Sequence, residues 1–322
     1  MPCAPVTTPV APSSASSSRV AVDIVLTSEH PLSVRYSLSP HRRGAGDPSH
    51  RVDTDGSIWR TARFPTGPVT YRIRQAGRTE VTCEAWGPGA AEFLDSLPGL
   101  VGLEDDASGF EPEHRLLAEA HRRFPHLRIG RTGRVMEALV PAILEQKVHG
   151  IAAFASWRYL LSTFGEPAPG PAPRGMRVPP PSEVWRRIPS WEFHRANVDP
   201  KRSKTIVRSA QLADKLEQIT TMGREDAERR LRVVPGIGAW TAAEVMQRAL
   251  GDTDALSVGD YHLASVIGWT LTGAPMDDDA MVEYLAPLRP HRYRAVRLLE
   301  VSGTAVRPKF GPRTQVTDHR LH

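Results

Sequence analysis

A carboxylate set downstream of a glycine hairpin is the part of this sequence best equipped for chemistry. Residues 231–271 read LRVVPGIGAWTAAEVMQRALGDTDALSVGDYHLASVIGWTL. Within them Pro235-Gly236-Ile237-Gly238 separates two stretches of helical period, a short one over about 224–233 and a second whose Ala242, Val245, Met246 and Ala249 share a face. The glycines permit a turn that other residues would strain. Such a turn leaves backbone N–H groups free at the start of the second helix, and with the helix dipole these can hold a phosphate without touching a base. By itself the feature is equally a plain helical hairpin. Asp260 follows Gly238 by 22 residues, in Ser257-Val258-Gly259-Asp260-Tyr261-His262, where Leu263, Val266, Ile267 and Thr270 begin another helix. Asp260 can serve simply as its N-cap. Capping and catalysis are compatible, because a capping carboxylate is held rigidly.

The elements that must position this segment change character along the chain. Residues 1–19, rich in Ser, Pro, Ala and Thr, bury little and are expected to be a disordered tail. Residues 20–110 read as an antiparallel sheet domain. Val20, Val22, Ile24 and Leu26 alternate, Asp55-Gly56 signals a hairpin turn, and Val69/Tyr71/Ile73 and Val81/Cys83/Ala85 alternate again. Residues 32–38 fit strand or helix, and a helix over 90–97 follows the sheet. From 111 to 306 the period is helical: Met136, Leu139, Val140 and Ile143 share one face, as do Trp157, Leu160, Leu161 and Phe164. A Pro-rich loop is expected over 166–181, and Asp199-Pro200 starts a helix running to about Leu216. Residues 307–322 form a basic tail.

The 231–271 segment resembles the helix-hairpin-helix–Gly/Pro–Asp (HhH-GPD) superfamily of DNA glycosylases, most nearly its 3-methyladenine DNA glycosylase II (AlkA-like) branch. Val234 to Ala242 matches that branch's hairpin, Gly259-Asp260-Tyr261 its catalytic Asp segment, and Ala142-Ile143-Leu144-Glu145-Gln146 its Ala-Ile-Leu-x-Gln. The resemblance covers about residues 20–300. It implies a mainly α fold with two helical subdomains flanking a cleft, preceded by a TATA-binding-protein-like α+β sheet domain. It implies a base-excision-repair hydrolase in which a damaged nucleotide flips into the cleft. Asp260 would then stabilise positive charge on the sugar as the base leaves, or orient the attacking water. Cationic alkylated purines leave readily and can be held by an aromatic wall. Trp240 is the candidate wall, or alternatively a core tryptophan of the hairpin; Tyr261 joins it in the pocket. Pro235, Gly236, Ile237, Gly238 and Thr241 would grip the DNA backbone, and Gln146 would probe the duplex where the base left. No cofactor is implied beyond a monovalent cation that hairpin carbonyls can hold.

Four positions stand apart from patterns of the wider family. Trp240 stands where bifunctional members carry a lysine, which implies a monofunctional enzyme without lyase activity. Lys147 replaces an intercalating leucine, Glu244 a pocket tyrosine, and His291 a pocket tryptophan; the last two stay on the list of pocket residues. These departures keep open a glycosylase for oxidised or deaminated bases. A non-catalytic helix-hairpin-helix DNA-binding protein is the further alternative, against which the intact Asp260 argues.

Composition agrees without deciding. The chain has 322 residues, net charge +5 and pI about 9.5, and all but five of its 41 basic residues are arginine. That balance suits a nucleic-acid partner. The C-terminal basic run, including Arg292 and Arg294, is expected to face phosphates or to be a solvated tail. Asp277-Asp278-Asp279 reads as a helix start. Two cysteines, Cys3 and Cys83, cannot supply a disulfide framework, a four-cysteine metal site or an iron–sulfur cluster. There is no secretory signal pattern and no apolar run of membrane-spanning length. The expected molecule is a monomer in the cytoplasm, associated with the nucleoid, whose partner is double-stranded DNA carrying damaged bases.

Overall fold

Alternating apolar residues build the sheet on which the N-terminal part of the molecule rests. The computed structural model describes residues 22–308 together with Asp318 and Arg320. The tail over 1–19, Val20 and most of 307–322 lie outside them. Strands β1 (Val22–Thr27), β2 (His50–Val52), β3 (Ile58–Phe64), β4 (Gly67–Gln75) and β5 (Glu80–Trp86) form one antiparallel sheet in the order β1-β5-β4-β3-β2. Asp55-Gly56 turns β2 into β3, with Gly56 at φ 80°. Residues 32–38 resolve in favour of helix: Ser33 caps α1 (Val34–Leu38). Val69, Tyr71 and Ile73 of β4 are fully buried under α2 (Ala90–Val101), where Tyr71 stacks on Phe93 with centroids 3.9 Å apart. The second helix therefore runs four residues past Leu97, because Leu100 and Val101 complete the apolar face that covers the sheet.

Two further cores are helical. One is formed by α4 (Val135–Leu144), α5 (Gly150–Phe164), α6 (Ser182–Trp185), α7 (Ser190–Arg195), α8 (Pro200–Gln211), α9 (Ala213–Glu217), α10 (Arg224–Arg232) and α11 (Ala239–Val245). The other joins α3 (Arg115–Arg123) to α12 (Leu263–Leu271), α13 (Asp278–Tyr284) and α14 (Arg292–Ser302). The chain thus crosses from the first helical core to the second between α11 and α12, through the segment that contains Asp260. The fold is mainly α with an antiparallel sheet, as the sequence indicates.

Local boundaries follow capping chemistry. Asp199 caps α8, accepting from the N–H groups of Lys201 and Arg202. That helix breaks at Leu212 instead of continuing to Leu216, and α9 resumes beyond it. The expected loop over 166–181 holds a two-residue ladder, Glu166–Pro167 against Arg177–Val178, which sits against β3 through Thr61 Oγ1 donating to the Arg177 carbonyl. Among the described residues no helix is long and apolar enough to cross a membrane.

Candidate active site

The hairpin turns where close approach to a neighbour demands glycine. Gly236 has φ 98°, and a Cβ there would lie 2.1 Å from Oγ1 of Thr205 on α8. Thr205 also donates to the Pro235 carbonyl at 3.4 Å, so α8 abuts the turn directly. The turn leads into α11, whose start no side chain caps; the helical run continues through a wider turn at Met246–Leu250 and closes at Gly251 with φ 70°. Ala242, Val245, Met246 and Ala249 are all buried, as their spacing requires.

Asp260 is held from three sides. Its Oδ1 accepts from the N–H groups of His262 and Leu263 at 2.8 and 2.9 Å, capping α12. Its Oδ2 accepts from the indole Nε1 of Trp240 at 3.2 Å. Both residues are half-exposed. The loop ahead of Asp260 is itself tied down: Gly259, at φ 90°, donates its N–H to Asp278 Oδ2 at 3.1 Å. Asp277 caps α13 through the Ala280 N–H, so the acidic run serves a helix start and also anchors the Asp260 loop.

A second rung lies one turn along α11. Glu244 is 9% exposed; its Oε1 accepts from the Ser257 hydroxyl at 2.6 Å and its carboxylate pairs with Arg248 at 2.7 Å. Gln247 Nε2 donates to Ser257 Oγ and to the Ala255 carbonyl. Arg248 reaches the Pro40 carbonyl beyond α1 at 3.0 Å. Burial opposes its charge most strongly, but Glu244, Tyr293 and Glu145 together offset that and hold the guanidinium pKa above its ordinary value. Glu244 is therefore a paired carboxylate, engaged by Ser257 and Arg248.

Four other expected site residues stand elsewhere than the sequence placed them. His291 is buried, with Nε2 3.2 Å from the Ser108 carbonyl and its ring edge-on to Phe110, so it belongs to the second helical core. Tyr261 is 76% exposed and projects outward beside His262 instead of lining a pocket. Arg292 and Arg294 are 6% and 2% exposed and do not face solvent. Arg292 forks onto Asp254 with two contacts of 2.7 Å, and Arg294 binds Asp105 at 2.5 and 2.9 Å. Their charge is spent on buried carboxylates, since a buried guanidinium needs a partner. Gln146 gives its amide N–H groups to the Gly236 carbonyl at 2.9 Å and Thr241 Oγ1 at 2.8 Å, bracing the hairpin. Lys147 follows it, exposed, in the turn between α4 and α5 with φ 53°. Ser257, Gln247, Arg248 and Thr205 were not singled out from sequence, because their contacts run between separate elements and leave no helical or alternating spacing.

The geometry can hold an anion at the hairpin and a fixed, half-exposed carboxylate beside an aromatic ring. Comparison with known proteins bears on what that arrangement is. The chain is 31% identical over 266 residues to the probable bifunctional transcriptional activator/DNA repair enzyme AlkA of Mycobacterium tuberculosis, covering 76% of this chain and 50% of that protein. It is 27% identical over 179 residues to the DNA-3-methyladenine glycosylase of Bacillus subtilis, covering 53% of this chain and 59% of that one. The chain thus spans between half and three fifths of the length of the curated relatives it matches. Among solved structures, the 3-methyladenine DNA-glycosylase from Archaeoglobus fulgidus superposes with TM-score 0.70 at 17% identity, over 85% of this chain and 96% of that one. The apo 8-oxoguanine glycosylase/lyase of Clostridium acetobutylicum gives 0.67 at 13% identity, over 86% and 95%. These two likenesses show the fold. No family model matches the chain. With the hairpin, the Gly259-Asp260 segment and the sheet domain all in place, the chain is similar in sequence to AlkA-type and 3-methyladenine DNA glycosylases and shares its fold with DNA glycosylases of known structure.

Proposed function

We propose that the protein is a base-excision-repair DNA glycosylase that hydrolyses the N-glycosidic bond of alkylated purines flipped out of duplex DNA. The observation that carries this reading is the contact of Trp240 Nε1 with Asp260 Oδ2 beside the hairpin. It sets an aromatic face and a rigid carboxylate together. The carboxylate stabilises the cationic sugar that forms as the base departs, and its position is fixed before the reaction, so little reorganisation is needed. It also stands ready to orient a water on the sugar's C1′. A cationic purine requires little acid assistance to leave, and the indole face attracts it.

The reaction is hydrolysis without strand cleavage. An imine-forming lyase needs an uncharged amine next to the carboxylate, and the residue beside Asp260 is Trp240. The hairpin binds the DNA backbone through its free N–H groups.

A second reading, a glycosylase for neutral oxidised or deaminated bases, rests on Glu244 and His291 standing where the AlkA-like branch carries pocket aromatics. A set of duplexes carrying one lesion each separates the two. Release of 3-methyladenine-type bases, and not of neutral oxidised or deaminated ones, supports alkylpurine excision. Release confined to the neutral lesions selects the second reading, and release of none removes both.

A further inference from the structure

Arg292 and Arg294, expected to face phosphates, are buried, which leaves the question of which charge the protein presents beside the hairpin. One helix answers it. On α8, Lys201, Lys204 and Arg208 are exposed, while Arg202, Ser203, Thr205, Ile206, Ser209 and Ala210 are buried. At about 100° per residue the three cations fall within a stripe roughly 60° wide. That stripe begins roughly 40° from Thr205, by the same helical geometry. Thr205 is the residue whose Oγ1 sits against Gly236 and Pro235. The cations therefore run along the solvent edge of the α8–hairpin contact. Among the described residues, no ion pair engages the side chains of Lys201, Lys204 or Arg208, whereas Arg202, on the buried side, is bound to Asp199, Leu144 and Asn197. Two of the chain's five lysines are in this one stripe.

Resting on the DNA-glycosylase reading above, we infer that Lys201, Lys204 and Arg208 form a second backbone-binding surface, holding the stretch of DNA phosphates that continues past the hairpin. The chemistry is that of flexible cations on a rigid helix facing a polyanion, with no base readout. The hairpin fixes one phosphate by N–H groups, and the stripe extends the grip along the strand. The charge helps to hold the duplex and takes no part in bond cleavage.

The test is the salt dependence of binding to a short undamaged duplex. The triple variant Lys201→Ala, Lys204→Ala, Arg208→Ala keeps helix-favouring residues at exposed positions, so α8 should persist. Each phosphate-neutralising cation that is removed makes the slope of log K against log salt shallower by about 0.9, so the variant should lose about 2–3 units. The single-turnover rate of base release at saturating protein should stay within about two-fold of wild type, because saturation removes the binding defect. A charge-matched control, Arg115→Ala, Arg122→Ala, Arg186→Ala, should keep the wild-type slope. An unchanged slope in the α8 variant, or an equal loss in the control, overturns the inference while leaving the glycosylase reading intact. A wild-type protein that does not bind duplex at all removes both.

Discussion

The indole of Trp240 donates to one oxygen of Asp260 across 3.2 Å, while the other oxygen caps α12 through two backbone N–H groups. One carboxylate thus joins α11, the helix that follows the hairpin, to α12 of the other helical core. Its orientation depends on both. The Glu244–Ser257 and Gln247–Ser257 contacts repeat the connection one turn along α11. The loop from Ala255 to Asp260 is a strap laced to α11, and this lacing gives the reacting group its rigidity.

Capping and charge can be separated at Asp260. Asn still accepts the His262 and Leu263 N–H bonds but carries no charge. Asp260→Asn loses the Trp240 bond, since its amide NH2 faces the indole donor, but should stay folded and bind undamaged DNA within a few-fold of wild type. Base release should fall by roughly 10²–10³-fold, the scale of losing one preorganised charge-stabilising group. Asp260→Ala should in addition lose about 1 kcal/mol of stability with its cap. Full activity in the Asn variant would remove Asp260 from the chemistry.

Trp240 has two roles that two substitutions divide. Phe keeps an aromatic face and loses the donor to Asp260; Ala loses both. Trp240→Ala should slow release of cationic alkylpurines more than of neutral lesions, by about 2- to 30-fold, since an aromatic face attracts a cation by roughly 0.5–2 kcal/mol. Trp240→Phe should keep most of that preference. Equal losses on both lesion types would make the residue structural.

What the sequence could tell depended on how far apart the partners lie. The hairpin, the Asp260 cap and the Asp199 start of α8 are contacts within a few residues, and their spacing announces them. The strands were legible because alternation needs only neighbours on one strand. Arg292 and Arg294 were misread because burial depends on Asp254 and on Asp105, the latter 189 residues away. His291 was misread likewise, through Ser108 and Phe110. The α8 stripe was written in the i, i+3, i+7 spacing of Lys201, Lys204 and Arg208, but its significance depends on α8 touching the hairpin.

The buried arginines carry an expectation of their own. Removing one partner of a buried pair leaves the other charge stranded, at a cost of about 3–5 kcal/mol. Arg294→Ala should lower the unfolding free energy by that order in denaturant titrations, and Arg292→Ala by less, because Asp254 keeps its ion pair with Arg224 at 2.5 Å. The folded fraction should keep the wild-type salt dependence of DNA binding. Stable variants with weakened DNA affinity would return these residues to the phosphate surface.

Stability should fall in mild acid. Burial, followed by the nearby Arg60, holds the His41 pKa well below its ordinary value and pushes His50 down to about 2. Both are neutral in the folded protein, whereas in the unfolded chain they take up protons below about pH 6.5. Their contribution is complete above that pH and is lost as pH falls, by about 1.4 kcal/mol per pH unit for each histidine. Denaturant titrations between about pH 6.5 and pH 5 should show the decline, above the range where carboxylates dominate. His50→Asn should flatten it by about one histidine's share. A slope unchanged in that variant would show that His50 does not titrate on unfolding.

The product distinguishes hydrolase from lyase. An imine between an amine and the sugar's C1′ is followed by β-elimination and a strand break. Trp240 offers no amine at the carboxylate, and arginine remains protonated at working pH. Lys147 is the lysine with a route to the lesion, since it follows Gln146, whose amide binds Thr241 next to Trp240. It is exposed, in the turn between α4 and α5. We therefore expect abasic product in an unbroken strand, with no borohydride-trapped protein–DNA adduct, in the presence or absence of a metal chelator. Lys147→Gly is the informative variant, because the backbone there has φ 53°, which glycine adopts without strain. A trapped adduct in the wild type that vanishes in Lys147→Gly would make Lys147 the nucleophile and the enzyme bifunctional.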